Sequence, residues 1–180
     1  CQVTVGINFA AGLRTDGTAW TWGNGFRGQL GNNAAYCETR CSPVSVVGGF
    51  TWCKIAAGGQ TVLAIRNNGT LWGWGDSSNC QIRNISGSAT CSPISVTTTF
   101  TDWCAIATGG STGGGTTYHS AAIRTNGTLW TWGYNGEGQL GLNNLLNQSS
   151  PASVAGGFTD WCQVAVGGKS LSLITHLTLP

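Results

Sequence analysis

The stretch Ile123-Arg124-Thr125-Asn126-Gly127-Thr128-Leu129-Trp130-Thr131-Trp132-Gly133 occurs three times in this chain with few changes, and the other copies span residues 13–23 and 65–75. In each copy a short apolar run leads into an Asn-Gly or Asp-Gly pair and returns as an alternating Trp-x-Trp run, which predicts a β-hairpin with a type I′ turn. The same positions in the three copies are predicted to be structural, with glycines in the turn and tryptophans in the core: Gly17, Gly69, Gly127, Trp22, Trp74 and Trp132.

A second repeated element sets the period of the chain. The run Trp52-Cys53-Lys54-Ile55-Ala56-Ala57-Gly58-Gly59 recurs from Trp103 and from Trp161, and residues 1–6 repeat it without the tryptophan. The cysteines in this run are about 50 residues apart, once a seven-residue insertion at 111–117 is removed. A period of this length indicates stacked or radially arranged copies of one supersecondary unit.

Each unit can be divided into four short strands. The Cys-x-Val/Ile run is the first strand, the hairpin supplies two more, and a Pro-containing run such as Pro93-Ile94-Ser95-Val96 closes the unit. A proline near the start of a strand indicates a sheet edge, where its missing N–H is not needed. Four antiparallel strands per unit predict an all-β fold of propeller blades. The blades are expected at about 1–49, 50–99 and 100–157, with a partial blade at 158–180.

Composition narrows the class of partner. Charged residues make up 8% of the chain and the formal net charge is +2, with the basic residues scattered. No electrostatic footprint for nucleic acid is therefore expected. No apolar run approaches the roughly 20 residues that cross a bilayer, so membrane insertion is not expected either. The chain begins inside a repeat without a signal peptide or an initiator Met, which favours a segment of a longer protein.

Eight cysteines are many for a chain of this length. A zinc site is not predicted, because there is no Cys-x-x-Cys pair and neither His119 nor His176 lies near two cysteines. No metal or other cofactor is expected. Disulfides are expected instead, and they indicate an oxidising setting, either extracellular or on the surface of a cell or virion.

The pairing of the cysteines stays open. Local bridges are one alternative, since Cys80 and Cys91 flank one outer loop, while Cys37 and Cys41 lie in the equivalent loop of the preceding repeat. Cys80 also replaces a loop glycine, which favours a bridge at that point. In another interpretation, the first-strand cysteines are small buried apolar residues. A third scheme joins Cys41 to Cys53 and Cys91 to Cys104.

The sequence predicts no catalytic site. The few carboxylates lie at turn and edge positions that recur between repeats, rather than as a facing pair. His119 is the one histidine on a predicted strand, where a structural role bonded to backbone is favoured over a role as base or ligand. Neither a Gly-x-Ser-x-Gly elbow nor a Lys-bearing phosphate loop occurs. A hydrolase would be supported only by analogy with other propellers.

Four Asn-x-Ser/Thr sequons occur in the chain. Asn68 and Asn126 are explained by the hairpin turn. Asn84 and Asn147 lie in outer loops and are the better candidates for glycosylation.

The third repeat resembles the regulator of chromosome condensation repeat family. The hallmark of that family is a Trp-Gly-x-Asn run, followed by Gly-Gln-Leu-Gly and a Pro-x-x-Val strand. The resemblance extends over nearly the whole chain. A bacterial or phage-like extracellular version of the family is expected. The family's histidine is present only as His119. The matching residues are Gly127, Trp132, Gly133, Asn135, Gly138, Gln139, Leu140, Gly141, Pro151 and Val154.

The resemblance implies a seven-bladed propeller, whereas about three and a half blades are expected here. Three and a half blades cannot close a ring. We therefore expect protein partners that complete it, either copies of this chain or further repeats of a longer chain.

Two functions follow from these observations. The cysteines, the low charge and the incomplete set of blades favour a non-enzymatic structural or adhesive module of an extracellular filament, a cell surface or a virion tail or fibre. The alternative, implied by the resemblance, is a protein-binding propeller, either inhibitor-like or a guanine-nucleotide exchange factor.

Overall fold

The computed structural model of this chain describes residues 1–34, 38–83, 89–110 and 117–167. These residues form twelve β-strands in three four-stranded antiparallel sheets. The predicted all-β fold of propeller blades is confirmed. Blade 1 contains β1 (Gln2–Gly6), β2 (Phe9–Leu13), β3 (Ala19–Gly23) and β4 (Arg40–Ser45); blade 2 contains β5 (Trp52–Gly58), β6 (Thr61–Arg66), β7 (Leu71–Asp76) and β8 (Ala89–Ser95); blade 3 contains β9 (Trp103–Gly109), β10 (His119–Arg124), β11 (Leu129–Gly133) and β12 (Gln148–Ser153).

Each blade is a meander in which every strand pairs with the next one along the chain. The first strands β1, β5 and β9 lie beside one another, so they form the inner side of the array. The fourth strands lie at the opposite edge of each sheet and carry Pro43, Pro93 and Pro151. The turns between second and third strands lie at one end of the array, here called the turn rim. The loops between third and fourth strands lie at the other end, here called the loop rim.

The hairpin turn differs from the predicted type I′. The amide of Gly17 donates to the carbonyl of Arg14 at 3.0 Å, and Gly17 has a φ of 80° while Asp16 is not among the residues with positive φ. This is a type I turn followed by a glycine in the left-handed region, the three-residue hairpin loop with a bulge. The prediction of type I′ was wrong because the Asn-Gly pair fits both turns, and the hydrogen-bond register decides between them.

The turn glycines also allow neighbouring blades to approach closely. A Cβ on Gly69 would lie less than 2.5 Å from the carbonyl of Thr101. A Cβ on Gly127 would clash in the same way with the carbonyl of Thr159. The carbonyl of Gly17 accepts a hydrogen bond from the amide of Trp52, at the start of the next blade, at 2.9 Å. Each turn is therefore part of a junction between blades as well as a hairpin.

The apolar core lies between the blades rather than within one of them. One cluster joins Leu13 and Ala11 of blade 1 to Ile55 and Trp74 of blade 2, and a second joins blade 2 to Trp132 and Ala122 of blade 3. A sheet must bury its apolar face against another layer, and here the neighbouring blade is that layer. The stability of each blade therefore depends on its neighbours.

The segment 161–167 follows the third blade and belongs to none of the twelve strands. Its side chains Trp161, Val164 and Val166 pack on the outward face of blade 3, against Ile123 and Leu129. This segment lies in the range 158–180, where a partial blade is expected. Residues 168–180 lie outside the described residues.

None of the expected disulfides is formed among the described cysteines. Cys37 lies outside the described residues. The first-strand cysteines are not buried apolar residues either, because Cys53 is exposed and Cys104 is half-buried. Both lie at β-bulges, where the strand pairing skips them and keeps the tryptophan before them on the core face.

Cys80 does not need a bridge to hold its loop. It has a φ of 60°, close to the 76° of Gly28 and the 77° of Gly138 at the equivalent positions. Its amide donates to the carbonyl of Ser77 at 2.9 Å, as the Gly28 amide does to Gly25. The expectation that a disulfide at Cys80 holds this loop in place of the glycine turn was wrong, since Cys80 adopts the left-handed backbone conformation of the equivalent glycines.

Candidate functional site

Two of the predicted structural tryptophans, one in blade 2 and one in blade 3, each fasten their blade to the preceding one. The indole Nε1 of Trp74 donates to the backbone carbonyl of Gln29 at 3.1 Å, and Trp132 Nε1 donates to the carbonyl of Gln81 at 2.7 Å. Both rings are fully buried. A Cβ on Gly31 would lie 2.7 Å from Trp74 Nε1, so the glycine after the Gln-Leu pair allows the ring to lie against the loop.

The Gly-Gln-Leu-Gly loop is shaped by its own glutamine. The side-chain Oε1 of Gln29 accepts a hydrogen bond from the Arg27 amide at 2.7 Å, and Gln139 does the same for the Glu137 amide at 2.9 Å. The Leu30 carbonyl accepts a hydrogen bond from the Thr21 hydroxyl at 2.6 Å. These bonds direct the glutamine carbonyl toward the next blade, where a tryptophan is its partner.

A three-residue chain of hydrogen bonds at the turn rim was missed from the sequence. The Asn126 Oδ1 accepts from the Thr128 hydroxyl at 2.7 Å, and that hydroxyl accepts from Trp130 Nε1 at 3.0 Å. The same chain recurs through Thr70 in blade 2 and through Thr18 in blade 1. Hydrogen bonds from Thr18 also lower the pKa of the Asp16 carboxyl. The pattern Asx-Gly-Thr-x-Trp is the signal that could have revealed it.

An arginine joins aromatic and acidic side chains at the same rim. The Arg124 guanidinium lies 3.8 Å from the centre of the Phe100 ring and binds Asp102 through two bonds of 2.8 and 3.0 Å. This pair holds the pKa of Asp102 below its ordinary value, chiefly by the hydrogen bond from Arg124. Arg66 lies over Phe50 in the same way in blade 2. Asp102 therefore has a structural role.

The described parts of the loop rim carry exposed apolar side chains. Leu145 and Leu146 are 64% and 69% exposed, and Phe26 projects from the equivalent loop of blade 1. Asn135 is buried and holds the loop in place, since its Nδ2 donates to the carbonyls of Asn144 at 2.8 Å and Leu146 at 3.1 Å. Exposed leucines on a fixed loop are a surface that can bind another protein.

The predicted glycosylation sites have different environments. Asn147 is exposed at the loop rim, and its Oδ1 accepts a hydrogen bond from the Asn135 amide at 2.8 Å. Asn84 lies outside the described residues. The Oδ1 atoms of Asn68 and Asn126 accept hydrogen bonds from the threonines of their own sequons.

His119 is fully buried at the start of β10. Neither ring nitrogen has a hydrogen-bond partner among the described residues. The expected bond from the ring to the backbone is therefore not seen there. Burial lowers the pKa of His119, and the nearby Thr117 backbone opposes this shift only in part. A buried imidazole of this kind stays neutral.

Within the described ranges, no group of three or more His, Cys, Asp or Glu side chains is placed to hold a metal ion. The same part of the chain contains no helix with the length and apolar character of a membrane span.

Comparison with known proteins places these features in a family. The model of the regulator of chromosome condensation (RCC1) repeat matches residues 16–65 and 126–173, and a second model of the same repeat matches residues 1–29 and 52–81. The chain belongs to the RCC1 repeat family. The Trp-to-glutamine junctions described above are therefore junctions between RCC1 repeats.

Relatives of this RCC1 chain are longer than it is. It is 32% identical over 124 residues to the RCC1 domain-containing protein RUG3 of Arabidopsis thaliana, covering 68% of this chain and 26% of that protein. It is 28% identical to the human probable E3 ubiquitin-protein ligase HERC3, over 85% of this chain and 14% of that protein. This RCC1 chain thus spans about a quarter of the first relative and about a seventh of the second.

A solved structure shares the fold. The structure of Prp20p from Saccharomyces cerevisiae matches 93% of this chain and 41% of its own, with a TM-score of 0.73 and 20% sequence identity. That structure was described with the binding properties of Prp20p to Gsp1p and histones.

Proposed function

We propose that this chain is part of a protein-binding RCC1 propeller whose loop rim contacts the partner. The observation that carries this proposal is the pair of exposed leucines, Leu145 and Leu146, on a loop held by the buried Asn135. Binding through a fixed loop loses little conformational entropy. Membership of the RCC1 family and the protein-binding description of Prp20p support the same class of function.

The structural or adhesive role ranked first from composition has less support. It depended in part on disulfides, and none is formed among the described cysteines. The relatives favour the protein-binding alternative instead. An extracellular or virion location stays a prediction from the cysteines, the low charge and the incomplete set of blades, and a bacterial or phage source stays a prediction as well.

Protein binding is tested by charge substitutions at the loop rim. We expect a variant with Phe26→Asp, Leu145→Asp and Leu146→Asp to lose its partner, since a carboxylate is costly to bury in an apolar contact. A matched control has Thr15→Asp, Asn67→Asp and Asn126→Asp, which add the same charge to exposed positions on the turn rim. Quantitative affinity capture from the source cells, followed by calorimetry with the purified partner, measures the difference. Equal binding by both variants would contradict the proposal.

The exchange-factor version has its own test. Small GTPases loaded with fluorescent GDP are mixed with the chain, and nucleotide release is followed with time. Acceleration that the loop-rim variant lacks and the turn-rim variant keeps would support exchange activity. Unchanged release would leave protein binding without exchange as the function.

We also propose that further RCC1 repeats complete the array, because three blades leave the outward face of blade 1 uncovered. Val3 and Val5 on that face are 71% and 68% exposed. The corresponding Ile55 of blade 2 is fully buried against blade 1.

A further inference from the structure

Three arginines occupy equivalent places where the second strand of each blade meets its turn, and they differ in their acidic partners. Arg124 of blade 3 binds the Asp102 carboxylate through Nε at 2.8 Å and through Nη2 at 3.0 Å. Arg14 of blade 1 binds Asp16 of its own turn at 3.0 Å. Arg66 of blade 2 forms no ion pair and donates no side-chain hydrogen bond among the described residues. Blade 2 therefore keeps the cation of this position without the acid.

The acid is missing from blade 2 because the chain is one residue shorter there. Residues 100–103 run from phenylalanine to tryptophan in blade 3, whereas residues 50–52 cover the same connection in blade 2. The backbone keeps the same arrangement, since the Asn67 amide donates to the Thr51 carbonyl at 3.2 Å and the equivalent amide of blade 3 donates to the Asp102 carbonyl at 2.9 Å. Thr51 thus occupies the backbone position of Asp102, but its side chain has no carboxylate.

Two aromatic rings nevertheless hold the guanidinium of Arg66 in position. Its central carbon lies 4.2 Å from the centre of the Phe50 ring and 5.5 Å from that of the Trp72 ring. Rings that stack on a guanidinium contact its flat faces, whereas its N–H donors point outward in the plane of the group. Arg66 is also half-buried. Its donors are therefore positioned before any ligand binds, and they are unused within the described part of the chain.

The surroundings of Arg66 match an anion from outside the chain. Thr51, Asn67 and Asn68 beside it on the turn rim are exposed and uncharged. Blade 3 shows which anion fits this arrangement, because one guanidinium binds one carboxylate there through two bonds. A planar carboxylate matches the paired N–H donors of an arginine in both shape and charge.

We propose that Arg66 binds the carboxylate of an aspartate or glutamate side chain on a partner protein. The carboxylate takes the place that Asp102 has in blade 3 and accepts hydrogen bonds from the Nε and Nη2 of Arg66. Asn67 supplies an amide at the chain position of Thr125, whose hydroxyl lies 3.5 Å from the Asp102 carboxylate.

A protein partner is favoured over a free carboxylate because a single half-exposed ion pair contributes little by itself. A protein surface adds contacts to the exposed residues of the turn, Thr51, Asn67 and Asn68. This site lies on the turn rim, at the opposite end of the array from the leucines of the loop rim. It is therefore a second contact surface, and it does not depend on the function proposed for the loop rim.

Peptide binding to the full chain tests the proposal. Two short synthetic peptides are compared, one with a central aspartate and one with asparagine in its place, and the Arg66 Nε–H signal is followed by NMR of the isotope-labelled chain. We expect a saturable shift with the aspartate peptide and about tenfold weaker binding of the asparagine peptide, because only the carboxylate accepts a charge-assisted pair of bonds. The Arg124 signal should not move, since Asp102 already occupies that position.

Acetate distinguishes a free carboxylate from one carried by a protein. The aspartate peptide should bind at least about threefold more tightly than acetate, since its backbone also reaches the exposed residues of the turn. Equal affinities would assign the site to a small carboxylate and overturn the proposal of a protein partner. The absence of a saturable shift with either probe would overturn the site itself.

Variants test the same site from within the chain. Thr51→Asp puts a carboxylate at the backbone position of Asp102 and should abolish peptide binding, whereas the uncharged control Thr51→Asn should retain most of it. Arg66→Lys keeps the charge but not the paired donors, and it should bind the peptide about tenfold more weakly. In the reverse direction, Asp102→Thr should create a second binding site at Arg124.

Near-ultraviolet circular dichroism establishes that each variant is folded. Peptide binding that persists in Thr51→Asp, that is unchanged in Arg66→Lys, or that gains no second site in Asp102→Thr would contradict the proposal. The loop-rim variant with Phe26→Asp, Leu145→Asp and Leu146→Asp should bind the peptide with unchanged affinity. This result distinguishes a failure of the loop-rim proposal from a failure of the site at Arg66.

Discussion

Trp132 Nε1 donates a hydrogen bond of 2.7 Å to the backbone carbonyl of Gln81, and so a side chain of blade 3 is fastened to a loop of blade 2. The two residues are 51 positions apart in the chain, and the bond joins consecutive repeats. Trp74 and Gln29 form the same bond between blades 2 and 1. The junction between blades is therefore a repeated structural unit, in the same sense as the hairpin.

Removal of the donor should destabilise the protein where a preceding blade is present. Trp132→Phe keeps an aromatic ring but deletes the N–H, and we expect unfolding free energy to fall by about 1–2 kcal/mol from the lost bond and the smaller ring. Trp22→Phe is the matched control, because Trp22 is half-buried and has no acceptor among the described residues. Urea unfolding at low protein concentration measures both. Equal losses would show that the bond between blades contributes nothing.

Replacement of Cys80 by the glycine of the other loops should stabilise the chain. Cys80 has a φ of 60°, which a residue with a Cβ adopts at a cost of about 1 kcal/mol. We expect Cys80→Gly to raise unfolding free energy by about that amount, and Gly138→Cys to lower it similarly. Gly138 is a suitable counterpart, since a Cβ there would lie 3.7 Å from the nearest atom, in Leu145. A loss of stability in Cys80→Gly would mean that the thiol makes a contribution beyond backbone conformation.

Substitution of a turn glycine separates conformational strain from blade contact. Gly127→Ala places a methyl group on backbone with a φ of 75° and against the Thr159 carbonyl. Gly49→Ala has a similar φ of 62° but nothing within 4 Å. We expect a loss of about 1 kcal/mol for Gly49→Ala and at least about twice that for Gly127→Ala. Thermal or urea unfolding measures both losses of unfolding free energy. Equal losses for the two variants would contradict a contribution from the contact between blades.

His119 should make stability depend on pH. Burial lowers its pKa in the folded state below the ordinary value of about 6.5. As pH falls below that value, the unfolded chain binds a proton that the folded chain does not, so stability decreases until the lower folded pKa is reached. Above the ordinary value both states are neutral and the effect vanishes.

The control for this prediction is His119→Thr, which introduces the residue found at the equivalent position Thr61. Urea unfolding at about pH 5 and about pH 7.5 should show a smaller difference in the variant than in the unmodified chain. Asp102 does not interfere, because its pKa is lowered from an already acidic value. The same pH dependence in both proteins would contradict a neutral buried imidazole.

Sequence periodicity was sufficient to predict the hairpins, the four-strand unit and the propeller-blade fold, because strand alternation and glycine turns are local properties of the backbone. It was insufficient at positions where two structures satisfy the same local pattern. The Asn126-Gly127 pair suits two kinds of turn, and Cys80 occupies a glycine conformation that its side chain does not favour. Cysteine content suggested bridges, but composition carries no information on which thiols are close together.

By itself, the sequence determined that this chain is a repeat array with Trp22, Trp74 and Trp132 in matching positions. Only the tertiary structure decided that two of these tryptophans bind the glutamine carbonyl of the preceding blade, and that Asn135 holds the loop on which Leu145 and Leu146 are exposed. These relationships join residues far apart in the chain. They depend on how the blades lie against one another, which packing between sheets determines and local pattern does not.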